Sequence, residues 1–114
     1  MSALVFKIVH AGEWASVRDA YAGSQKDRAD GFLHFSTQEQ LPGTLTRYYA
    51  GADDLLLVAV DAEALGPALR FEASTGGALY PHLYASLPRS AARWVRPIPR
   101  DGAGGFVLPI DAQG

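Results

Sequence analysis

The chain has 114 residues and no cysteine, carries a formal net charge of −2 and is 48% hydrophobic. A chain of this length and apolar content folds as one domain, and the missing cysteines exclude disulfides and thiolate chemistry. The slightly acidic charge gives no general reason to bind nucleic acid or an anionic membrane. We therefore expect a single domain over residues 1–114, with a small molecule as its partner.

The opening segment MSALVFKIVH is too short and too soon interrupted by charge for a signal peptide, and no apolar run reaches the length that spans a membrane. A cytoplasmic location is the expectation. The sequence gives no indication of the oligomeric state.

The first third of the chain is predicted to alternate strand and helix. Alternating apolar residues predict a strand over Leu4–Val9, and apolar residues at helical spacing predict a short amphipathic helix over Gly12–Ala22. Residues 25–30 are polar and are expected to lie in solvent. A short strand over Phe32–Phe35 follows them.

The middle of the chain carries the longest predicted elements. A helical stripe predicts a helix from Leu41 to Tyr49 that ends before Gly51. Asp54–Asp61 is an unbroken apolar run with acidic ends, which is typical of a strand covered on both faces at the centre of a sheet. Residues 62–67 are predicted to form a turn.

The last third is predicted to be rich in strands. These lie at Leu69–Glu72, Tyr80–Tyr84 and Ala91–Ile98, and the prolines of the last one suit an edge position. Residues 101–114 are expected to form a flexible tail. The element order predicts an α+β fold with a bent mixed or antiparallel sheet and two helices in the N-terminal half.

The stretch from Asp30 to Gln40 carries the densest candidate chemistry. The two-residue period of a strand places Phe32, His34 and Ser36 on one face. Residues 36–39 then fit a capping box, so the N–H groups of a new helix are expected to point toward His34. Ser36 and Thr37 either bind a phosphate or ribose hydroxyl or serve as caps.

Three histidines, His10, His34 and His82, lie at or inside predicted strands and suit acid–base chemistry near neutral pH. Either they share one cleft or each satisfies its own strand end, and the sequence leaves both readings open. No metal site is predicted, because neither the H-x-H nor the H-E-x-x-H spacing occurs.

Two further groups of candidate residues lie in and before the predicted strand that contains His82. Glu72 precedes a glycine-rich loop and is either a reactive carboxylate or the ionic partner of Arg70. Tyr80, His82 and Tyr84 share one face, where they either flank a flat ring or pack on the core.

The chain resembles the bacterial and plant family known as domain of unknown function 952 (DUF952) over nearly all its length. The matching segments are Lys7-Ile8-Val9-His10 followed by Trp14, Asp30 to Ser36 with Gln40, Asp54 to Asp61, Leu69 to Glu72, and Tyr80 to Tyr84. Tyr80 departs from the family, which more often shows phenylalanine there, but it keeps the aromatic wall.

The resemblance implies a fold similar to that of ADP-ribosyltransferase-like proteins, whose split and bent sheet grips NAD or ADP-ribose in a cleft. It further implies that His10 holds a ribose or phosphate near Ser36, and that Tyr84 or Tyr48 stacks on a flat ring. Glu72 would then steady an oxocarbenium-like sugar.

These expectations combine into one hypothesis, a cleft that binds a nucleotide or sugar-phosphate ligand of the NAD or ADP-ribose kind. Glu72 and His34 are the candidate catalytic residues, for cleavage or transfer at an N-glycosidic carbon. The expected ligand-binding residues are His10, Ser36, Thr37, Tyr48, His82 and Tyr84. The alternative is a noncatalytic module that binds a small metabolite or a peptide end, and the sequence leaves open which of the two applies.

Overall fold

Two three-stranded antiparallel sheets and one two-stranded ladder frame the domain in a computed structural model that describes residues 3–74 and 76–110. The strands are β1 (Leu4–His10), β2 (Ala20–Tyr21), β3 (Leu33–His34), β4 (Leu55–Asp61), β5 (Leu69–Ala73), β6 (Leu79–Leu83), β7 (Leu87–Pro88) and β8 (Ala92–Pro97). The helices are α1 (Ala11–Ala15), α2 (Gln25–Asp30), α3 (Leu41–Tyr48) and α4 (Ala62–Leu65). Short 3₁₀ turns lie at Gln38–Gln40, Gly66–Ala68 and Arg89–Ala91. The α+β prediction with antiparallel sheets is confirmed.

Strand β4 is the centre of the first sheet, whose order is β1-β4-β8. Leu57 faces α3 and packs in one cluster with Leu41, while Val58 faces the other way and packs in a second cluster with Leu83. Leu57 and Val58 are both fully buried. The prediction of a central strand covered on both faces is therefore confirmed, as is the edge position of β8.

The second sheet has the order β3-β6-β5, and its backbone pairs with that of the first sheet at an isolated bridge between Phe6 and Ser36. The Phe6 N–H donates to the Ser36 carbonyl at 2.9 Å, and the Ser36 N–H donates back to the Phe6 carbonyl at 2.8 Å. On the other side of this segment, the Phe35 N–H donates to the Pro81 carbonyl at 2.9 Å. β1 and the β3–β6 pair are thus joined at Phe6 and Ser36.

The helix predicted over Gly12–Ala22 is wrong in its second half. α1 ends at Ala15, and Ala20–Tyr21 pairs with β7. The ladder gives these residues backbone partners while still burying Tyr21 beside Trp14, with 6.1 Å between the ring centroids. A helix and a ladder would both bury the rings of Trp14 and Tyr21. The spacing of these two residues therefore did not distinguish the two structures.

Residues 25–30 form a helix, which corrects the expectation of a solvated segment. A capping box begins it, because the Ser24 hydroxyl accepts from the Asp27 N–H at 3.2 Å and the Asp27 carboxylate accepts from the Ser24 N–H at 2.9 Å. Gly31 ends it in the left-handed conformation, with φ of 87°. The capping box turns Asp27 into the interior, where it is 2% exposed.

The capping box predicted over residues 36–39 lies one residue further along. Gln40 accepts from the Thr37 N–H at 3.0 Å, while the backbone of Ser36 is occupied by the bridge to Phe6. The predicted turn at 62–67 also contains α4, which begins where the Asp61 carboxylate accepts from a backbone N–H.

Residues 101–110 return to the first sheet. The Asp101 carboxylate accepts from the Gly105 N–H at 2.8 Å, and Phe106 packs against the cluster beside α3. Residues 111–114 of the predicted flexible tail lie outside the described residues. Within the described ranges, no helix is long and apolar enough to cross a lipid bilayer.

Candidate functional site

A cleft of about 340 Å³ opens between β1, α2, α3 and one face of the β3–β6 pair. This volume suits a small organic ligand. Four of the eight site residues expected from the sequence line it, namely His34, Ser36, Tyr48 and His82. Phe32 lines the cleft together with His34 and Ser36, as the two-residue period predicted, but Phe35 of the opposite parity also lines it.

The other four expected residues lie outside this lining. Glu72 and Tyr84 are bonded to one another next to His82. Thr37 precedes the 3₁₀ turn. His10 is exposed at the end of β1, with its ring 6.0 Å from that of Tyr49. His34 and His82 therefore meet at one cleft, and His10 does not join them.

A buried ion pair forms the inner wall of the cleft. Lys7 points from β1 into the interior, where its ammonium lies 3.0 Å from the Asp27 carboxylate and donates to the His34 carbonyl at 2.9 Å. The side chains of Lys7 and Asp27 are 4% and 2% exposed. Asp27 also accepts from the His34 backbone N–H at 3.1 Å. The pair thus joins β1, α2 and β3.

The ionisation of this pair follows from burial and from its partners. Burial lowers the pKa of Lys7, and the Asp27 charge opposes that effect. Burial also works to raise the pKa of Asp27, but the hydrogen bond from His34 and the charge of Lys7 prevail and hold that pKa well below its usual range. Asp27 is therefore a carboxylate at neutral pH.

His34 is held at both ring nitrogens by carboxylates of α2. Its Nδ1 lies 2.5 Å from Asp27 Oδ1, and its Nε2 lies 2.9 Å from Asp30 Oδ2. Both contacts can be hydrogen bonds only when the ring carries both protons. In this arrangement neither nitrogen of His34 is available to exchange a proton with a ligand.

His82 lies directly across the ladder from His34, with 5.8 Å between the ring centroids. Phe32 stacks on the His82 ring at 4.0 Å. The His82 Nδ1 is 2.8 Å from Glu72 Oε1, which also accepts from the Tyr84 hydroxyl at 2.6 Å. No partner of His82 Nε2 occurs in the described part of the chain.

Hydrogen bonding polarises the groups behind His82. The hydrogen bond from the Tyr84 hydroxyl lowers the pKa of Glu72 most, and the hydrogen bond from His82 lowers it further. The same bond to the carboxylate raises the pKa of Tyr84. Glu72 is thus an anion at neutral pH, and its charge faces the protonated Nδ1 of the imidazole.

Two cations and an aromatic ring stand at the mouth of the cleft. The Lys26 ammonium and the Arg47 guanidinium lie 5.8 Å and 6.0 Å from the centroid of the Tyr48 ring. Tyr48 is 53% exposed although it lines the cleft. Lys26 is bonded to Asp30 at 3.2 Å, whereas Arg47 has no carboxylate partner among residues 3–74 and 76–110.

Paired hydroxyls contribute a further polar part of the lining. The Ser36 and Thr44 oxygens are 3.1 Å apart, and Thr44 donates to the Gln40 carbonyl at 3.1 Å. Since the Thr44 proton is used in that bond, Ser36 is the donor to Thr44, and the Ser36 oxygen keeps its capacity to accept a hydrogen bond.

Sequence reasoning missed the five charged residues that line the cleft, namely Lys7, Lys26, Asp27, Asp30 and Arg47. Lys7 is the one charge within an apolar strand, which is a signal for a buried partner. Ser24 three residues before Asp27 is a capping pattern that could have revealed α2. Arg47 carries no local signal of its role. No group of three or more potential metal ligands occurs in the described ranges.

The family model described as protein of unknown function (DUF952) matches residues 8–95. The chain belongs to the DUF952 family. The matched range contains α2, α3 and the strands β3 and β6, which carry His34 and His82. Most of the cleft of this DUF952 domain therefore lies within the matched range.

Solved structures are similar to this DUF952 domain over almost its whole length. The crystal structure of protein CC0527 from Caulobacter crescentus is 39% identical with a TM-score of 0.88, covering 92% of this chain and 94% of that chain. The solution NMR structure of CC0527 is 40% identical with a TM-score of 0.80, covering 90% of each chain. No curated protein matches the sequence.

Proposed function

We propose that the cleft binds a small anionic ligand that carries a flat ring, of the nucleotide or sugar-phosphate kind, with NAD or ADP-ribose as leading examples. Arg47 is the observation that carries this proposal. Its guanidinium lines the cleft without a carboxylate partner among the described residues and lies beside the exposed ring of Tyr48. Guanidinium groups bind phosphate in a bidentate manner, and exposed aromatic rings stack on bases.

The charge balance of the lining supports an anion. Lys7 and Lys26 are paired with Asp27 and Asp30. Arg47 is then the positive charge in excess, even before a proton on His34 is counted. An anionic group of a ligand near Arg47 would neutralise this excess charge without breaking the two ion pairs.

The proposal includes a fold of the ADP-ribosyltransferase-like kind. Two antiparallel sheets that meet at the bridge between Phe6 and Ser36, with a cleft beside the junction, support this assignment. In such an arrangement the flat ring of the ligand lies at Tyr48 and its sugar lies toward His82.

A thermal-shift panel tests the proposal. A ligand at about one hundred times its dissociation constant adds about 2.7 kcal/mol, which raises the melting temperature of a domain this size by roughly 10 °C. We expect a shift with NAD or ADP-ribose, a smaller one with inorganic phosphate, and loss of the shift in Arg47→Gln. Arg93→Gln, which changes an exposed arginine on β8, is the matched control. No shift with any nucleotide, or equal shifts in both variants, would contradict the proposal.

The alternative, a noncatalytic module for a small metabolite or a peptide end, is favoured by one observation. His34 presents no free ring nitrogen to a ligand, because Asp27 and Asp30 occupy both. A shift with amino acids or short peptides, but none with nucleotides, would support this alternative.

A further inference from the structure

We propose that His82 is a general base of this cleft, positioned by Glu72 and Tyr84, and that it takes a proton from water attacking the glycosidic carbon of a bound nucleotide. This inference rests on the proposed function for its substrate class. It assigns the proton transfer to His82, whereas the sequence pointed to Glu72 and His34 as the catalytic residues.

The two imidazoles at the cleft have opposite surroundings. Each histidine lies on the same sheet face, and each has its Nδ1 on a carboxylate. The Nε2 of His34 meets Asp30, whereas the Nε2 of His82 meets no hydrogen-bonding group of the described residues. A proton can therefore be accepted at His82 without breaking an existing bond.

The orientation of the His82 ring leaves Nε2 on the side away from Glu72. His82 lines the cleft and Glu72 does not. Since Nδ1 points to Glu72, Nε2 lies on the opposite side of the ring. Stacking on Phe32, at 4.0 Å between centroids, limits rotation of the imidazole out of this position.

Glu72 and Tyr84 act on His82 without reaching the ligand. The carboxylate accepts the Nδ1 proton, which fixes the tautomer with a bare Nε2 and stabilises the imidazolium that forms when Nε2 is protonated. The Tyr84 hydroxyl shares the same carboxylate oxygen and holds it in place. Both are positioning residues.

The proton and electron balance closes with water as the second reactant. For an NAD-type substrate, the water oxygen forms a bond to the sugar carbon while the bond from that carbon to the ring nitrogen breaks. The electron pair of the broken bond neutralises the departing pyridinium, so the leaving group needs no proton. The water proton moves to His82 Nε2 and is later released to solvent.

The decisive experiment measures binding, turnover and tautomer separately. We expect wild-type protein to hydrolyse NAD, and His82→Gln to keep the NAD thermal shift while losing about a hundredfold or more of the rate. Glu39→Gln changes an exposed residue outside the lining of the cleft and is the control. Hydrolysis that is equal in wild type and His82→Gln would overturn the proposal, as would NAD binding without any hydrolysis.

The tautomer is read by long-range ¹H–¹⁵N NMR in mildly alkaline buffer, where an ordinary histidine is neutral. We expect His82 to carry its proton on Nδ1 in wild type and in the control Glu39→Gln, and to lose that preference in Glu72→Gln. A proton on Nε2 in the wild type would overturn the proposal even if no nucleotide binds. Failure of the binding panel alone would instead count against the proposed ligand class.

Discussion

Replacing Asp27 by asparagine is expected to destabilise the domain strongly. The amide keeps the shape of the carboxylate but removes its charge, so the Lys7 ammonium 3.0 Å away stays buried without a counter-ion. Breaking one partner of a buried ion pair costs about 3–5 kcal/mol. The NH₂ of asparagine must also face one of the donors that the carboxylate now satisfies, the Ser24 N–H at 2.9 Å or the His34 N–H at 3.1 Å.

The expected loss in melting temperature follows from the chain length. At about 2.1 cal/mol/K per residue, 114 residues give an unfolding entropy of about 0.24 kcal/mol/K, so each kcal/mol lowers the midpoint by about 4 °C. Asp27→Asn is therefore expected to lower it by about 12–20 °C. Calorimetry measures the midpoint, and urea unfolding measures the free energy.

Two further variants show whether the loss comes from the buried charge. Asp30→Asn changes a carboxylate of the same helix that also contacts His34 but is 38% exposed, and it should destabilise the domain far less than Asp27→Asn. Adding Lys7→Met to Asp27→Asn removes the stranded charge and should restore part of the stability. A loss in Asp27→Asn no larger than in Asp30→Asn would refute the reasoning.

Acid and backbone geometry give two more predictions. Because the folded-state pKa of Asp27 lies well below its ordinary value of 3.8, its stabilisation is complete above that value and is lost as the pH falls toward the folded pKa. The free energy of unfolding, measured with urea, should therefore fall less steeply with decreasing pH in Asp27→Asn than in the wild type. Equal slopes of this free energy against pH would contradict the prediction. Gly23→Ala should destabilise more than Gly51→Ala, because both have positive φ but a Cβ at Gly23 would lie 2.7 Å from Leu33 Cδ2. At Gly51 the Cβ meets none of the described atoms within 4 Å, so equal losses in urea unfolding would exclude the clash.

Local sequence patterns predicted the elements in which the burial of successive residues follows a simple rule. The run from Leu55 to Asp61 is apolar at nearly every position because both its faces are covered, so its central place could be read directly. The alternation around His34 was equally informative, because Phe32, His34 and Ser36 do share the cleft.

The charged part of the site depends on pairings that no local pattern contains. Lys7 and Asp27 are twenty residues apart in the chain, and only the fold brings β1 and α2 together. The same holds for His82 and Glu72, which meet through the pairing of β5 with β6. Residue types identified His82 and Glu72 as candidates, but the contact that sets their roles is tertiary.

The junction at Phe6 and Ser36 has a mechanical consequence. Arg47 is carried by α3 on the first sheet, and His82 belongs to the second. The opposing walls of the cleft therefore come from two sheets that are connected by the backbone bridge, by the Lys7–Asp27 ion pair and by a shared apolar cluster. Because closely packed interiors deform little, these connections fix the distance between the two walls. A molecule that touches both walls would therefore have to match a gap whose width is set before it arrives.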